Sequence, residues 1–428
     1  MKTRAVDPTP GRRRRNGLQP LALKLAVGLI ALLPFWLAAT AASGAPAPEA
    51  QTGSTATPTP SPSATLAAAT ATPTSTWPDP GDDTPTPAAT PTAMATLEPT
   101  ATLTPTLSPE EAFNANFPTC SGSKLSLHFV RGSPATYEWM KTARPSFVKL
   151  VDAALDWSPN LRKEFPGMMQ IGRVTGVEDD SLVWKNPIVA ANDFVAKNLP
   201  YYRKYPDINY WEGFNEWTAA NAHDPQAWQA YAQFEAQRAC LMQSYGYHAV
   251  IGNFSAGRPE YAEMLVFLPA IRIGLKCGAI LGLHEYSAPT MQYGYGQGVP
   301  HRPTYPDRGM LTLRYRYWYQ DMFIPLDLPI PLVITEVGID GGVEAGRPGP
   351  QGVTGWQDFR DYWKNTGLGD NPAEVYVSQL AWYDSEIRKD PYVLGAAIYQ
   401  AGSYGRNSFE VEPLIPELTN YMVGMQGK

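Results

Sequence analysis

From about residue 111 onward, short β-branched runs alternate with longer stretches whose apolar residues recur at helical spacing. The strand-like runs are Lys124–Val130, Ser146–Val151, Met168–Val174, Ile208–Phe214, His248–Phe254, Ala279–Tyr286, Pro331–Val337 and Val393–Gln400. Between them the pattern predicts helices over Tyr137–Thr142, Val183–Tyr202, Ala227–Tyr245, Tyr261–Leu275, Leu311–Met322 and Ala373–Arg388, with a short turn near Leu161. In Ala227–Tyr245 the residues Trp228, Tyr231, Phe234 and Leu241 form one face, as a helix packed on a sheet requires. Strands that alternate with helices pair in parallel through right-handed crossovers. Eight such units within residues 111–428 predict an α/β fold of the (β/α)8 TIM-barrel type with some enlarged loops. A doubly wound open sheet is the alternative, and it usually carries a Gly-rich phosphate turn after its first strand, which is missing here.

Two unlike segments precede this region. Residues 1–42 hold seven basic side chains against Asp7, and Arg12 to Arg15 lie just ahead of an apolar run over residues 21–42 that is broken only by Lys24 and Pro34. That arrangement reads as a signal peptide or an uncleaved signal-anchor, which would place everything downstream outside the cytoplasm, secreted or tethered at the cell surface. Residues 43–110 are Thr, Pro, Ala and Ser with almost no large apolar residue, a composition expected to stay extended and disordered as a stalk. Much of the chain's 42 prolines belongs there and says nothing about the barrel.

Charge and motif content then narrow the chemistry. A net charge of -6 and a pI near 5.5 argue against a nucleic-acid partner. Three cysteines are too few for a disulfide-built scaffold. Cys240 and Cys277 pair if the chain is exported, leaving Cys120 over, or all three stay as thiols. The sequence holds no HExxH, no paired CxxC and no EF-hand loop, so no metal is expected, and the missing Walker and dinucleotide fingerprints leave no cofactor. A monomer is expected.

The long segments Ser287–Met310 and Ile339–Asn371 follow the sixth and seventh strand-like runs, on the side where barrels build active sites. They carry Tyr293, Tyr295, Tyr305, Arg308, Trp356, Tyr362 and Trp363, which suit either stacking on sugar rings or packing the loops onto the barrel. At the end of the fourth run stands YWEGFNEW, Tyr210–Trp217, and at the end of the seventh ITEVG, Ile334–Gly338. Two carboxylates facing each other across a barrel mouth suit glycoside hydrolysis, in which one protonates the leaving oxygen and the other attacks the anomeric carbon.

Asn-Glu closing the fourth strand and a lone Glu closing the seventh resemble clan A of the glycoside hydrolases, including families 5 and 39, over the region from about Thr119 onward. The resemblance implies that Glu216 is the general acid/base, Glu336 the nucleophile and Asn215 a ligand of the sugar 2-hydroxyl. His284 and Tyr286 are similar to a His-x-Tyr whose tyrosine hydrogen-bonds the nucleophile while the histidine lies beside the acid/base. His128 is a further candidate sugar contact, and Lys149 and Arg173 are candidates for the positive charge beside the nucleophile. Relatives end the eighth strand with a tryptophan, whereas IYQAG, Ile398–Gly402, stands here, so Tyr399, Gln400 or Trp356 is expected to floor the subsite. Glu212 and Glu285 are expected to be structural. The activity implied is retaining hydrolysis of β-linked oligo- or polysaccharides, and the alternative is a surface glycan-binding protein on a hydrolase-like barrel that has lost turnover.

Overall fold

The computed structural model describes residues 107–117, 122–217, 223–403 and 405–428, so the basic leader, nearly all of the stalk and Cys120 lie outside the described residues. A short helix α1, Pro109–Asn114, is followed by β1 Leu125–Phe129, α2 Pro134–Ala143, β2 Phe147–Val151, α3 Ser158–Glu164, β3 Met169–Arg173, α4 Pro187–Lys204, β4 Tyr210–Glu212, α5 Pro225–Ser244 and β5 His248–Phe254. The second half runs α6 Tyr261–Lys276, β6 Ile280–Ser287, α7 Tyr315–Trp318, β7 Leu332–Ile339, α8 Arg360–Asn365, α9 Pro372–Ile387, β8 Val393–Ala401 and α10 Ile415–Met425. The eight strands pair in order and in parallel, and β8 returns to β1, closing a (β/α)8 barrel. Among the described residues, no helix is long and apolar enough to cross a membrane.

Five of the helices start on the same two-residue signal. Ser108-Pro109, Ser133-Pro134, Asn186-Pro187, Asp224-Pro225 and Asn371-Pro372 each place a side-chain acceptor at the N-cap and proline in the first turn, where its missing N–H costs nothing. The cap sets the boundary more sharply than the apolar pattern does. It moves the start of α4 from the expected Val183 to Pro187.

The inward face of the sheet changes character along the strands. Phe147, Ile171, Val250, Ile280, Val333 and Ala397 fill the interior near the strand starts as a small apolar cluster. Two residues further along β2 and β3 come Lys149 and Arg173, two after Tyr210 on β4 comes Glu212, and four and six after Ile280 on β6 come His284 and Tyr286, so the polar layer lies toward the C-terminal mouth. On β7 the register shifts, with Leu283 opposite Ile334 but His284 opposite Glu336. This bulge lets Glu336 point inward although it stands three residues after Val333.

The expected helix over Leu311–Met322 is mostly absent. The N–H groups of Leu313 and Arg314 donate to the buried Glu285 carboxylate at 2.8 and 2.9 Å, and Leu313 has φ +57°. With those donors and that left-handed residue committed to the turn, regular helix is confined to Tyr315–Trp318, followed by a π-type turn, Tyr319–Phe323. Glu285, which also accepts from the Tyr383 hydroxyl at 2.7 Å, thus caps this loop, as expected of a structural carboxylate. Burial pushes it up to about 7 against the pull of these donors. Between the unfolded value of roughly 4.3 and about 7, the folded chain keeps a proton that the unfolded chain has lost. The stability tied to this group is therefore full below the unfolded value and declines as pH rises to about 7. Glu285→Ala should lower stability by about 2–3 kcal/mol through stranded backbone donors and flatten that decline, both readable from urea midpoints across the pH range.

Candidate active site

The segment after β4 is held by its apolar residues and presents its polar ones. Trp211 packs on Tyr202 of α4, Phe214 on Phe194 of α4 and Phe234 of α5, and Trp217 stacks on Tyr231 of α5 with ring centroids 4.4 Å apart. Gly213 leaves room for the buried Arg238 guanidinium, which a Cβ there would meet at 3.0 Å. Glu216 itself has φ +47°, uncommon for a side-chain-bearing residue, and its N–H donates to the Asn253 carbonyl at 3.0 Å. That bond holds a strained backbone in the conformation that turns the carboxylate inward.

Glu336, on β7, is 5% exposed and gripped at both oxygens. Lys149 on β2 donates to Oε1 at 2.9 Å and the Tyr286 hydroxyl to Oε2 at 2.7 Å. Lys149, fully buried, also pairs with Glu212 at 3.1 Å, which accounts for that buried acid. Burial alone would raise the Glu336 carboxyl, but the positive ends of His284 and Lys149 outweigh it and hold Glu336 well below the usual carboxylate range. Burial, then the negative charge of Glu336, pushes the Tyr286 phenol well up, so it stays a donor.

His284 stands between the two acids, its Nδ1 2.7 Å from Glu216 Oε1 and 3.5 Å from Glu336 Oε2. Glu216 is the more open of the pair, its side chain 36% exposed against 7% for Glu336. One donor atom from each of Glu216, His284 and Glu336 lies within 4.8 Å of the others. Among the described residues these three could share an ion. Lys149 and Arg173 already bring positive charge to the Glu336 side, so the set suits proton exchange better.

Arg173 donates to Glu178 at 2.9 Å and to the Asn215 side-chain oxygen at 2.6 Å, which leaves the Asn215 NH2 to face outward; it lies 4.0 Å from Glu336. His128 is buried with its Nδ1 3.4 Å from Glu336 Oε1, and burial, followed by the Lys149 charge, holds its imidazole well below the usual range and so neutral.

A cleft of about 110 Å3 opens above these groups, and Asn215, Glu216, Tyr286, Glu336 and Tyr399 all line it. It is joined through Asn215 and Glu216 to a second cleft of about 300 Å3 that Glu178, Asp180 and Trp217 help to wall. Lys149, Arg173, His284 and His128 are not among the lining residues. Lys149 and Arg173 stand behind Glu336 as the positive charge beside it, and His284 lies against Glu216, while His128, expected as a sugar contact, is buried behind Glu336. Trp356 is also displaced from its expected position. It is 3% exposed, donates its indole N–H to the Glu410 carbonyl at 3.0 Å and stacks on Tyr376, because the loop after β7 folds it onto α9. Gln400 is buried likewise. The apolar wall comes instead from Tyr399 with Phe409, whose rings meet edge to face at 5.5 Å.

Loop aromatics mostly pack the loops down. Trp363 is fully buried and bonded to the Pro289 carbonyl, and Tyr295 meets Trp382 edge-on at 5.1 Å. Three cleft residues, Asp340, Arg406 and Phe409, were not expected from the sequence. Asp340 follows Glu336 by four residues and precedes a Gly-Gly turn, the one signal that could have flagged it.

No family model and no curated protein matches the chain. Solved structures similar to it include a family 39 glycoside hydrolase from the gut symbiont Bacteroides cellulosilyticus WH2, 11% identical, covering 73% of this chain and 65% of that one with a TM-score of 0.46. The chain thus spans 65% of the length of that enzyme. A GH5-4 broad-specificity endoglucanase from an uncultured bacterium is 11% identical over 73% of this chain and 95% of its own, TM-score 0.39. An endo-β-1,3-glucanase of family 128, subgroup I, from Amycolatopsis mediterranei, in complex with laminaritriose, is 11% identical over 71% of this chain and all of its own, TM-score 0.37.

Proposed function

We propose that this chain is a retaining β-glycoside hydrolase acting on oligo- or polysaccharides outside the cytoplasm. The observation that carries the reading is the pair of carboxylates at one cleft, with oxygens within 4.8 Å and opposite surroundings. Glu336 is buried among cationic neighbours and stays ionised, ready to attack. Glu216 is half-open beside His284, placed to pass a proton. A retaining pair stands about 5–5.5 Å apart, whereas an inverting pair needs roughly 6.5–9.5 Å to admit a water between acid and base.

In the first step Glu216 gives its proton to the leaving oxygen while a Glu336 oxygen bonds to the anomeric carbon and the C1–O bond breaks. In the second, water gives its proton to Glu216 and attacks C1, and Glu336 leaves as the carboxylate. Tyr286 and Lys149 hold the attacking group in place throughout, and Asn215 offers its NH2 to the 2-hydroxyl.

The Cys240–Cys277 disulfide, with Cα atoms 5.0 Å apart, supports an oxidising location, as does the basic leader ahead of an apolar run. The test is the anomer first released from an aryl β-glycoside, followed by proton NMR before mutarotation. A β-hemiacetal is expected, and an α-hemiacetal would sink the retaining mechanism. Binding of β-glucans with no product from the unmutated protein would point to a glycan-binding role instead.

A further inference from the structure

We propose that the catalytic cleft receives an uncharged sugar ring, that Asp340 and Arg406 select it by neighbouring hydroxyls, and that uronic acids are excluded. The proposal rests on the hydrolase reading above, which places C1 between Glu216 and Glu336 and the 2-hydroxyl at Asn215. Tyr399 and Phe409 supply the apolar wall, so the polar wall left for the rest of the ring is Asp340 and Arg406.

Asp340 is partly buried just after β7. One oxygen accepts the Gly342 N–H at 2.7 Å, and no cation lies within 4.0 Å of the carboxylate among the described residues. Burial raises it above the usual aspartate range, the state of a carboxylate short of donors. Arg406, on the loop after β8, holds its guanidinium carbon 6.0 Å over the Phe409 ring and likewise has no acid within 4.0 Å among the described residues. The two line one cleft, and the Arg406 charge pulls the Asp340 carboxyl down, against its burial, without an ion pair forming.

A gap flanked by an acceptor-only group and a donor-only group fits two neighbouring hydroxyls, one donating to Asp340 and one accepting from Arg406. A sugar carboxylate there would gain Arg406 but meet Glu336 and Asp340 in about 110 Å3. Like charges at that range disfavour it.

The test uses 2-deoxy-2-fluoro β-glycosyl fluorides and intact-protein mass spectrometry. Glu336 bonds to C1, the C1–F bond breaks, fluoride leaves with the electron pair, and the stable ester is read as added mass. The glucosyl or xylosyl reagent is expected to label the unmutated protein at least about 100-fold faster than the glucuronyl reagent. Asp340→Ala should slow labelling by the neutral reagent about 100-fold, and Arg406→Ala about 10-fold. Asp340→Asn and Arg406→Gln should fall between these and the parent.

Equal or faster labelling by the glucuronyl reagent overturns the proposal without any variant. So does unchanged labelling of folded Asp340 and Arg406 variants by the neutral one. No labelling by any reagent, together with no hydrolysis of any glycoside, is a separate outcome that overturns the hydrolase reading itself.

Discussion

Glu336→Gln is expected to lose turnover of an aryl β-glycoside by roughly 10⁴-fold or more while the barrel stays folded. The amide keeps the shape of the carboxylate, and its oxygen still accepts from Lys149, so the loss is of the nucleophile and not of the site. Two alanine variants separate the roles of the paired acids. With azide present, Glu336→Ala opens the face from which the carboxylate attacked, and the product is the α-glycosyl azide. In Glu216→Ala the ester on Glu336 still forms, and azide then takes the place of water on the opposite face to give the β-glycosyl azide. Opposite anomers from the two variants establish the assignment, and the same anomer from both would refute it. Glu216→Ala should also be least impaired on substrates whose leaving group needs no proton.

Lys149→Met carries the second large effect. The lysine is fully buried and is the cation within 3.1 Å of both Glu212 and Glu336. Removing it strands two anions behind the cleft, at a cost of about 3–5 kcal/mol of stability. The same change weakens one of the charges that hold Glu336 below the usual range, so its folded value rises. Activity needs the ionised form, present above that value and lost as pH falls through it. The acid limb of kcat/KM should therefore move to higher pH in Lys149→Met, a shift that a purely structural lysine would not produce. Adding Glu212→Gln removes one stranded charge and should restore part of the stability. Independent, additive losses in the double variant would show that the three groups are not coupled.

The barrel was legible because its signal is carried by many residues at once. All eight strands lie where β-branched runs meet turn residues, and Glu216 of YWEGFNEW and Glu336 of ITEVG stand out through the resemblance of those two strand ends to clan A. What escaped was whatever depends on a single distant partner. Glu285 takes the N–H groups of Leu313 and Arg314 across 28 and 29 residues of chain, and no local periodicity records that. Trp356 was read as a sugar platform from its residue type, yet the same ring stacks on Tyr376. Asp340, Arg406 and Phe409 sit on loops, where side-chain direction follows from tertiary contacts and not from a repeat. The pairing of Cys240 with Cys277 was one of two open readings, and only proximity in the fold decides it. α10, Ile415–Met425, lies beyond the eighth strand-like run, where no further strand follows to mark it as a crossover helix.

The pairing of β1 with β8 has a bearing on how the molecule forms. Leu125 pairs with Ala396, so until β8 has left the ribosome the sheet has two open edges, one at β1 and one at β7. Glu336 is on the strand at the second of those edges. Its environment is complete only when Val393–Ala401 closes the ring, and a chain cut short of that strand would present bare backbone donors and acceptors to its neighbours, an invitation to sheet-to-sheet association. Competence for catalysis and protection from aggregation thus arrive in the same late event.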